Sequence, residues 1–431
     1  MRRWWLGCVL APSMMMGACE SFSGPDDTLA GDASTDTGTT ETSTTNDAGT
    51  PDAQARGGTQ LALGQEHSCA LLASGSVRCW GNFTRLGVAL RQAPPQEFRA
   101  ESVSFGNDAG PEPRIAQIAA GVAHTCAVSV AGELFCWGAN GEGQLTGAAP
   151  LQAQVPFRIE VPKNFNGWRN VTAGPYHTCA VASRASGDAR PFCWGRNSNG
   201  ESNPLTTLPQ SGPAEIASAP GDIVAIAAGD AVSCALGKAG RAFCWGSTLG
   251  GRLGDGRTLG EHDTVTVLDP QGQPLEGISR IWAGGSSACA QTSAGPTYCW
   301  GSLARGFGGA NPRPTPLTAG GTVRSMSLAV LNDHGAVVDT TGAAFQWGTV
   351  YLGAAFVGAP SPTNVLPPGQ APYTWALGPD HMCLALRSDP TAAGSFHCLG
   401  RNSSRQLGSS VQSGDTDQLV QVFDLADPPS P

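Results

Sequence analysis

Residues 121–138 read GVAHTCAVSVAGELFCWG, and a recognisable copy of this stretch occurs six more times along the 431-residue chain. Residues 64–81 read GQEHSCALLASGSVRCWG, and residues 174–195 read GPYHTCAVASRASGDARPFCWG with a longer middle. Residues 229–246, 284–301 and 378–400 carry the same cysteines, and residues 331–348 read LNDHGAVVDTTGAAFQWG without them. The first cysteine positions are 69, 126, 179, 234, 289, 336 (an Ala) and 383, so successive copies lie 47 to 57 residues apart. A period of about 40 to 50 residues with several short strands per copy is the mark of propeller blades.

Each copy reads as a β-hairpin. Its first glycine (Gly64, Gly121, Gly174, Gly229, Gly284, Gly378) ends an apolar strand such as Ile115–Ala120. A second (Gly132 in the quoted copy) sits in the hairpin loop, where a positive φ is often required. A third follows the tryptophan and is expected to let the chain turn out of the sheet. Further extended pieces, such as 156–161, 264–268 and 419–425, supply a fourth strand. No stretch keeps a helical apolar period. The sequence therefore predicts an all-β fold, a seven-bladed β-propeller of about four strands per blade, over residues 58–426.

The chain has 14 cysteines. Setting Cys8 and Cys19 aside leaves six pairs, one per copy. They are Cys69 with Cys79, Cys126 with Cys136, Cys179 with Cys193, Cys234 with Cys244, Cys289 with Cys299, and Cys383 with Cys398. The remaining copy has Ala336 and Gln346 at the two places. Losing both together is what a covalent partnership predicts. A hairpin turn midway between two cysteines sets them opposite each other on neighbouring strands, as a disulfide requires. Zinc sites use shorter CxxC-type spacings, so no metal ligands are assigned. Trp80, Trp137, Trp194, Trp245, Trp300 and Trp347 recur at one position and read as wedges packing blade on blade. His67, His124, His177, His334 and His381 precede the first cysteine position by two and read as structural hydrogen-bonders.

The N-terminus is a different kind of sequence. Met1-Arg2-Arg3, an apolar run to Met16, and then Gly17-Ala18-Cys19 form an export signal too short to span a bilayer. The cysteine after small residues resembles the lipobox of bacterial lipoproteins. That resemblance implies removal of residues 1–18 and lipid on Cys19, with Glu20 pointing to the outer membrane or cell surface; plain secretion is the alternative. Residues 19–57 form an acidic low-complexity linker, expected to be a disordered tether because it has almost no bulky apolar side chain to bury. Residues 427–431 are a C-terminal tail.

The linker also explains the charge. The chain carries 34 acids and 25 bases, a net charge of −9. Setting aside the eight acids of residues 20–55 and the two N-terminal arginines leaves 26 acids against 23 bases. A nearly neutral domain has no nucleic-acid footprint, which needs clustered Lys and Arg.

The pattern GxxHTCAVxxxGxLFCWGxNxxGQLG, fullest at residues 121–145, resembles the repeat of the regulator of chromosome condensation family. Arg401-Asn402 through Gln406-Leu407-Gly408 echoes its ending. The resemblance implies a seven-bladed ring closed by joining the two chain ends in one blade. Here the C-terminal strand at 419–425 would complete the blade begun at 59–63. The family's nucleotide exchange and chromatin binding are not carried over to an exported, disulfide-rich chain.

The function reading is a surface-anchored, monomeric, non-enzymatic scaffold. It would bind a protein or glycan through its least regular loops, 82–114 and 139–167, and no cofactor is assigned. An exported inhibitor or sensor of another protein is an alternative. A carbohydrate-active lyase or hydrolase is a third reading. It would need converging groups at the central channel, and Asp230, Asp333 and Asp380, read as sharing one repeat position, are its only candidates. No catalytic residue is assigned.

Overall fold

The computed structural model describes residues 60–422 apart from 90–99, 107–110, 261–263, 303–310, 318–321, 332–333, 353–354, 365–371, 387–394 and 410–413. The signal segment, Cys19, the acidic linker, Asp333 and the C-terminal tail lie outside the described residues.

Seven four-stranded antiparallel sheets make a seven-bladed propeller. Each blade takes its strands in chain order. The blades span residues 60–102, 115–159, 167–215, 223–266, 278–316, 323–364 and 372–421. Blade 2 shows the logic, with strands Ile115–Ala120, His124–Ser129, Leu134–Ala139 and Gln152–Ile159. Its second strand is sandwiched between neighbouring blades and is buried at every position. Its fourth is an outer edge with exposed residues along it. Pro156, Pro213, Pro312 and Pro314 all stand in such outer strands, where a missing N–H costs no ladder bond and discourages edge pairing.

An antiparallel meander sorts its loops. Those between first and second strands, and those between third and fourth, lie at one end of the ring, here the loop end. The hairpins between second and third strands lie at the other end.

Two sequence expectations change here. The third glycine does not lead the chain out of the sheet. Gly138 still pairs with His124 inside its strand, with φ at 100° and a register shift beside it. A Cβ there would strike the backbone carbonyl of Ala123, so only glycine fits. Nor is the ring closed by strand exchange. Strand Thr416–Gln421 pairs with Ser395–Gly400 of its own blade, and Gln60–Leu63 pairs with His67–Leu71. Each copy begins at its innermost strand, so every blade is complete before the chain moves on. Side chains join blades 7 and 1 instead: Leu61, Leu63 and Trp80 pack with Phe396, Leu407 and Val422.

Around the channel, side chains of one inner strand bond the backbone of the next. Gln60 donates to the Ile118 carbonyl and accepts from its N–H, both at 2.9 Å. Gln117 bonds both backbone groups of Val171, and Asn170 accepts from the Ile226 N–H. On the far side Arg280 reaches the Arg324 carbonyl at 2.8 Å and Arg324 reaches that of Pro372 at 2.6 Å.

Candidate functional site

The hairpins place all twelve paired cysteines opposite one another in register, with Cα atoms 4.0 to 4.1 Å apart. Six disulfides are formed, each within one blade. Cys69 bonds Cys79 in blade 1, Cys126 bonds Cys136 in blade 2, and Cys179 bonds Cys193 in blade 3. Cys234 bonds Cys244 in blade 4, Cys289 bonds Cys299 in blade 5, and Cys383 bonds Cys398 in blade 7. Ala336 and Gln346 face each other in the same way in blade 6.

The six tryptophans lie in the seams. Trp80, Trp137, Trp194, Trp245, Trp300 and Trp347 are each at most 1 % exposed. Each packs in a cluster drawn from two successive blades. Their indole N–H groups also work. Trp80 donates to the Gln406 carbonyl, Trp194 to Leu145, Trp245 to Glu201 and Trp300 to Arg252, all at 2.9 to 3.0 Å. These carbonyls belong to loop-end turns of the preceding blade.

The residue paired opposite each tryptophan is the one that the sequence reading missed. It is Ser68, Thr125, Thr178 and Ser233 in blades 1 to 4. Each hydroxyl meets a histidine of the blade before it. His381 Nε2 lies 2.7 Å from Ser68 Oγ, and His67 Nε2 lies 2.8 Å from Thr125 Oγ1. His124 Nε2 lies 3.0 Å from Thr178 Oγ1, and His177 Nε2 lies 2.9 Å from Ser233 Oγ.

The hydroxyls settle the tautomer. Ser68, Thr178 and Ser233 donate to the carbonyls of Gln406, Gln144 and Glu201. They therefore accept from histidine, and the proton sits on Nε2 of a neutral ring. Nδ1 of His67, His124, His177 and His381 is buried without a hydrogen-bond partner. Adding a proton there would bury an unpaired charge. Burial accordingly pushes the pKa of His67, His124 and His381 down to about 3, and that of His177 to about 4. The rings also fix the first glycine of the repeat. A Cβ on Gly121 would strike both the His124 ring and the Gly174 carbonyl of the next blade.

The carboxylates go to the loop end, but not to one repeat position. Asp230 bonds through its N–H to the Gly285 carbonyl, just as Gln65 does to Val122, so the two are equivalent. Asp380, directly before His381, stands one place later in the repeat than Asp230. Asp230 pairs with Arg196 at 2.8 Å, and Arg196 also holds the fully buried Glu201 at 2.7 Å and lies over the Tyr176 ring. Asp380 pairs with Arg401 at 3.3 Å. Neither acid lines the central channel. That channel is a cavity of about 120 Å³ walled by inner-strand residues of all seven blades, including Leu61, Ile118, Trp282, Met326 and Leu377.

What differs from blade to blade is the loop joining third and fourth strands. In blades 2 and 3 its base is locked by one asparagine. Asn140 donates to Thr146 and Ala149 and accepts from the Leu145 N–H, and Asn197 makes the same kind of set. Beyond that lock the loops expose apolar side chains. Leu151 is 79 % exposed, Leu205 77 %, Leu259 76 %, Leu208 71 %, Leu249 57 % and Phe83 46 %. All six project from third-to-fourth strand loops of blades 1 to 4, at the loop end.

The fold and these seams define a seven-bladed β-propeller. The repeat described as "Regulator of chromosome condensation (RCC1) repeat" matches residues 59–85, 115–144 and 131–181. The chain is 29 % identical over 279 residues to the human protein named "Probable E3 ubiquitin-protein ligase HERC6", covering 62 % of this chain and 25 % of that one. It is 30 % identical over 256 residues to the Arabidopsis thaliana "RCC1 domain-containing protein RUG3, mitochondrial", covering 56 % and 53 %. It is also 30 % identical over 225 residues to the "Ultraviolet-B receptor UVR8" of the same plant, covering 50 % and 48 %. The chain thus spans a quarter to about half the length of these relatives. Human WBSCR16 superposes with a TM-score of 0.66 at 17 % identity over 82 % of this chain and 96 % of that one. Yeast Prp20, in its complex with Kap60, superposes with a TM-score of 0.65 at 16 % identity over 92 % of each. At such identities the likeness is one of fold.

Proposed function

We propose that this chain is an exported, surface-anchored propeller that binds a protein or glycan through its loop end and performs no chemistry of its own. The observation that carries the reading is how the repeat uses its polar groups. Its recurrent histidines, hydroxyls and indoles bond one blade to the next, and its best-placed acids are held by arginines. The part left to vary is the loops, which is where binding residues sit on rigid β scaffolds. Six disulfides support an oxidising compartment for the domain. The Gly17-Ala18-Cys19 junction supports a lipid on Cys19, the acidic linker standing between anchor and ring. Yeast Prp20, whose fold this chain shares, was crystallised bound to Kap60, and a protein partner for that relative supports the reading.

The test compares the intact chain with one whose loops at 140–151 and 197–209 are replaced by short glycine-asparagine turns. Both are applied to a glycan array and to a cell-surface protein display library. Binding by the intact chain that the replacement abolishes is the expected result. Unchanged binding, or turnover of an arrayed glycan, overturns the reading. Intact mass of the membrane-extracted protein checks the anchor: acyl mass on Cys19 is expected, and an unmodified N-terminus refutes it.

A further inference from the structure

We infer that the loop end of blades 1 to 3 is a docking surface for an uncharged, apolar segment of a partner protein; this rests on the binding-scaffold reading above and names its partner chemistry. Four observations converge. Leu151, Leu205 and Leu208 are among the most exposed large apolar side chains of the described residues. They sit in loops of neighbouring blades that touch: Gln152 Nε2 donates to the Thr84 carbonyl at 3.0 Å, Thr146 Oγ1 to that of Ser211 at 3.4 Å, and Gly147 bonds Ser211 as well. Phe83 extends the surface into blade 1, and Leu249 and Leu259 lie at the same end of blade 4.

Charge is the third observation. Residues 145–157 (LTGAAPLQAQVPF) and 202–214 (SNPLTTLPQSGPA) contain no Asp, Glu, Lys or Arg. Charges border these stretches, with exposed Glu142 before the first and Arg196 holding Glu201 and Asp230 beside the second, and more gather at the hairpin end. There Arg184, Asp188, Arg190 and Glu215 form a paired cluster and Glu133 meets Arg158. The fourth observation is rigidity: the asparagine locks at Asn140 and Asn197 hold these loops before anything binds, which lowers the entropy lost on association. The two neutral apolar stretches gain nothing from a charged partner and would have to desolvate it. They are matched by leucine-, proline- or aromatic-rich chain, buried at the usual worth of apolar area. Glycans, which need planar hydrogen-bonding groups as well as rings, fit them less well.

The experiment selects a random peptide library displayed on phage against the full mature chain. Enrichment of apolar, uncharged peptides is expected, with affinity that holds as salt is raised. Leu205→Glu with Leu208→Glu should weaken those peptides by roughly tenfold or more, while Val130→Glu at the hairpin end leaves them unchanged. Melting curves confirm that these exposed substitutions leave the fold intact. Charged or salt-sensitive consensus peptides, or binding that survives the leucine pair, overturn this inference while leaving a binding scaffold. A concentration-dependent dimer that the leucine pair dissolves would give the surface to a second copy and also overturn it. Failure of every library and array to yield a binder would remove both readings.

Discussion

The seams running from blade 7 through blade 1 to blade 4 differ from the three that complete the circle. In the first group a histidine bonds a hydroxyl across every seam. In the second, the residues paired opposite the tryptophan position are Ala288, Gly335 and Met382, none of which has a hydroxyl. The histidine position of the preceding blade changes with them. It is Val232 before Ala288 and Ser287 before Gly335. His334, before Met382, turns back into its own blade and meets Gln346 Oε1 at 3.3 Å. Gln346 occupies the place of the missing cysteine, so a lost disulfide and a redirected histidine meet at one residue. Polar pairing across a seam is therefore a two-residue device. Where the hydroxyl is absent, the histidine is replaced or, as His334, finds a local partner, which avoids a buried unpaired imidazole N–H costing about 1–3 kcal/mol, while Ser287 Oγ stays buried without a partner.

The largest perturbation of this comparison is reduction of the disulfides. Each closes a short loop worth about 3 kcal/mol in the chain-entropy model, so losing six approaches or exceeds the roughly 5–15 kcal/mol that stabilises a typical domain. Calorimetry in a strong reductant should show the cooperative transition lost or moved far down in temperature. A melting curve that ignores the reductant would mean the seams alone hold the ring.

Stapling the bare blade comes next. Ala336→Cys with Gln346→Cys should form a seventh disulfide, since the two residues are paired in register. The gain should fall short of about 3 kcal/mol because His334 loses its partner. Hydrogen exchange at Gly335–Asp339 should be faster in the native chain than at His124–Ser129, and should slow in the stapled one. Equal exchange in the native chain would remove the distinction between the blades.

Acid tests the histidine seams as a group. The folded rings have pKa values of about 3 to 4, against an ordinary 6.5 that applies once the chain unfolds. Below pH 6.5 the unfolded chain binds protons that the folded one refuses. Stability is thus full above about pH 6.5 and falls as pH drops toward 3. Denaturant midpoints measured across that window should decline, and His124→Gln should make the decline shallower. A flat profile would mean the rings titrate alike in both states.

The smallest effect is the single seam bond. A double-mutant cycle on His177→Ala and Ser233→Ala should return a coupling of about 1 kcal/mol. Val232→His alone should destabilise seam 4/5, and adding Ala288→Ser should recover part of that loss. Additive effects would show that the two positions do not speak across the seam.

The cysteine pairs and the tryptophan slot were legible because both are local. The disulfides join residues only 10 to 15 positions apart, within one hairpin, and the pattern recurs from copy to copy. The hydroxyl partners of the histidines were not legible, since they lie in the next copy: His67 and Thr125 are 58 residues apart, and His381 and Ser68 are 313 apart. One signal was available. Ser or Thr stands directly before the first cysteine in the first four copies, and for three of these the preceding copy in the chain carries the histidine. For Ser68 the histidine is His381, in the last copy, which becomes a neighbour only once the ring is closed. The exposed leucines were present in the sequence too, but which end of a blade they share depends on strand direction.

By itself the sequence determined the number of blades, the hairpin in each, and which cysteines meet. Those follow from turn chemistry and alternation over a few residues. The tertiary structure alone decided how the ring closes, which blades bond through histidine, and that the exposed leucines gather at one end. Each of these depends on two copies far apart in the chain being brought side by side, and no local pattern encodes that contact.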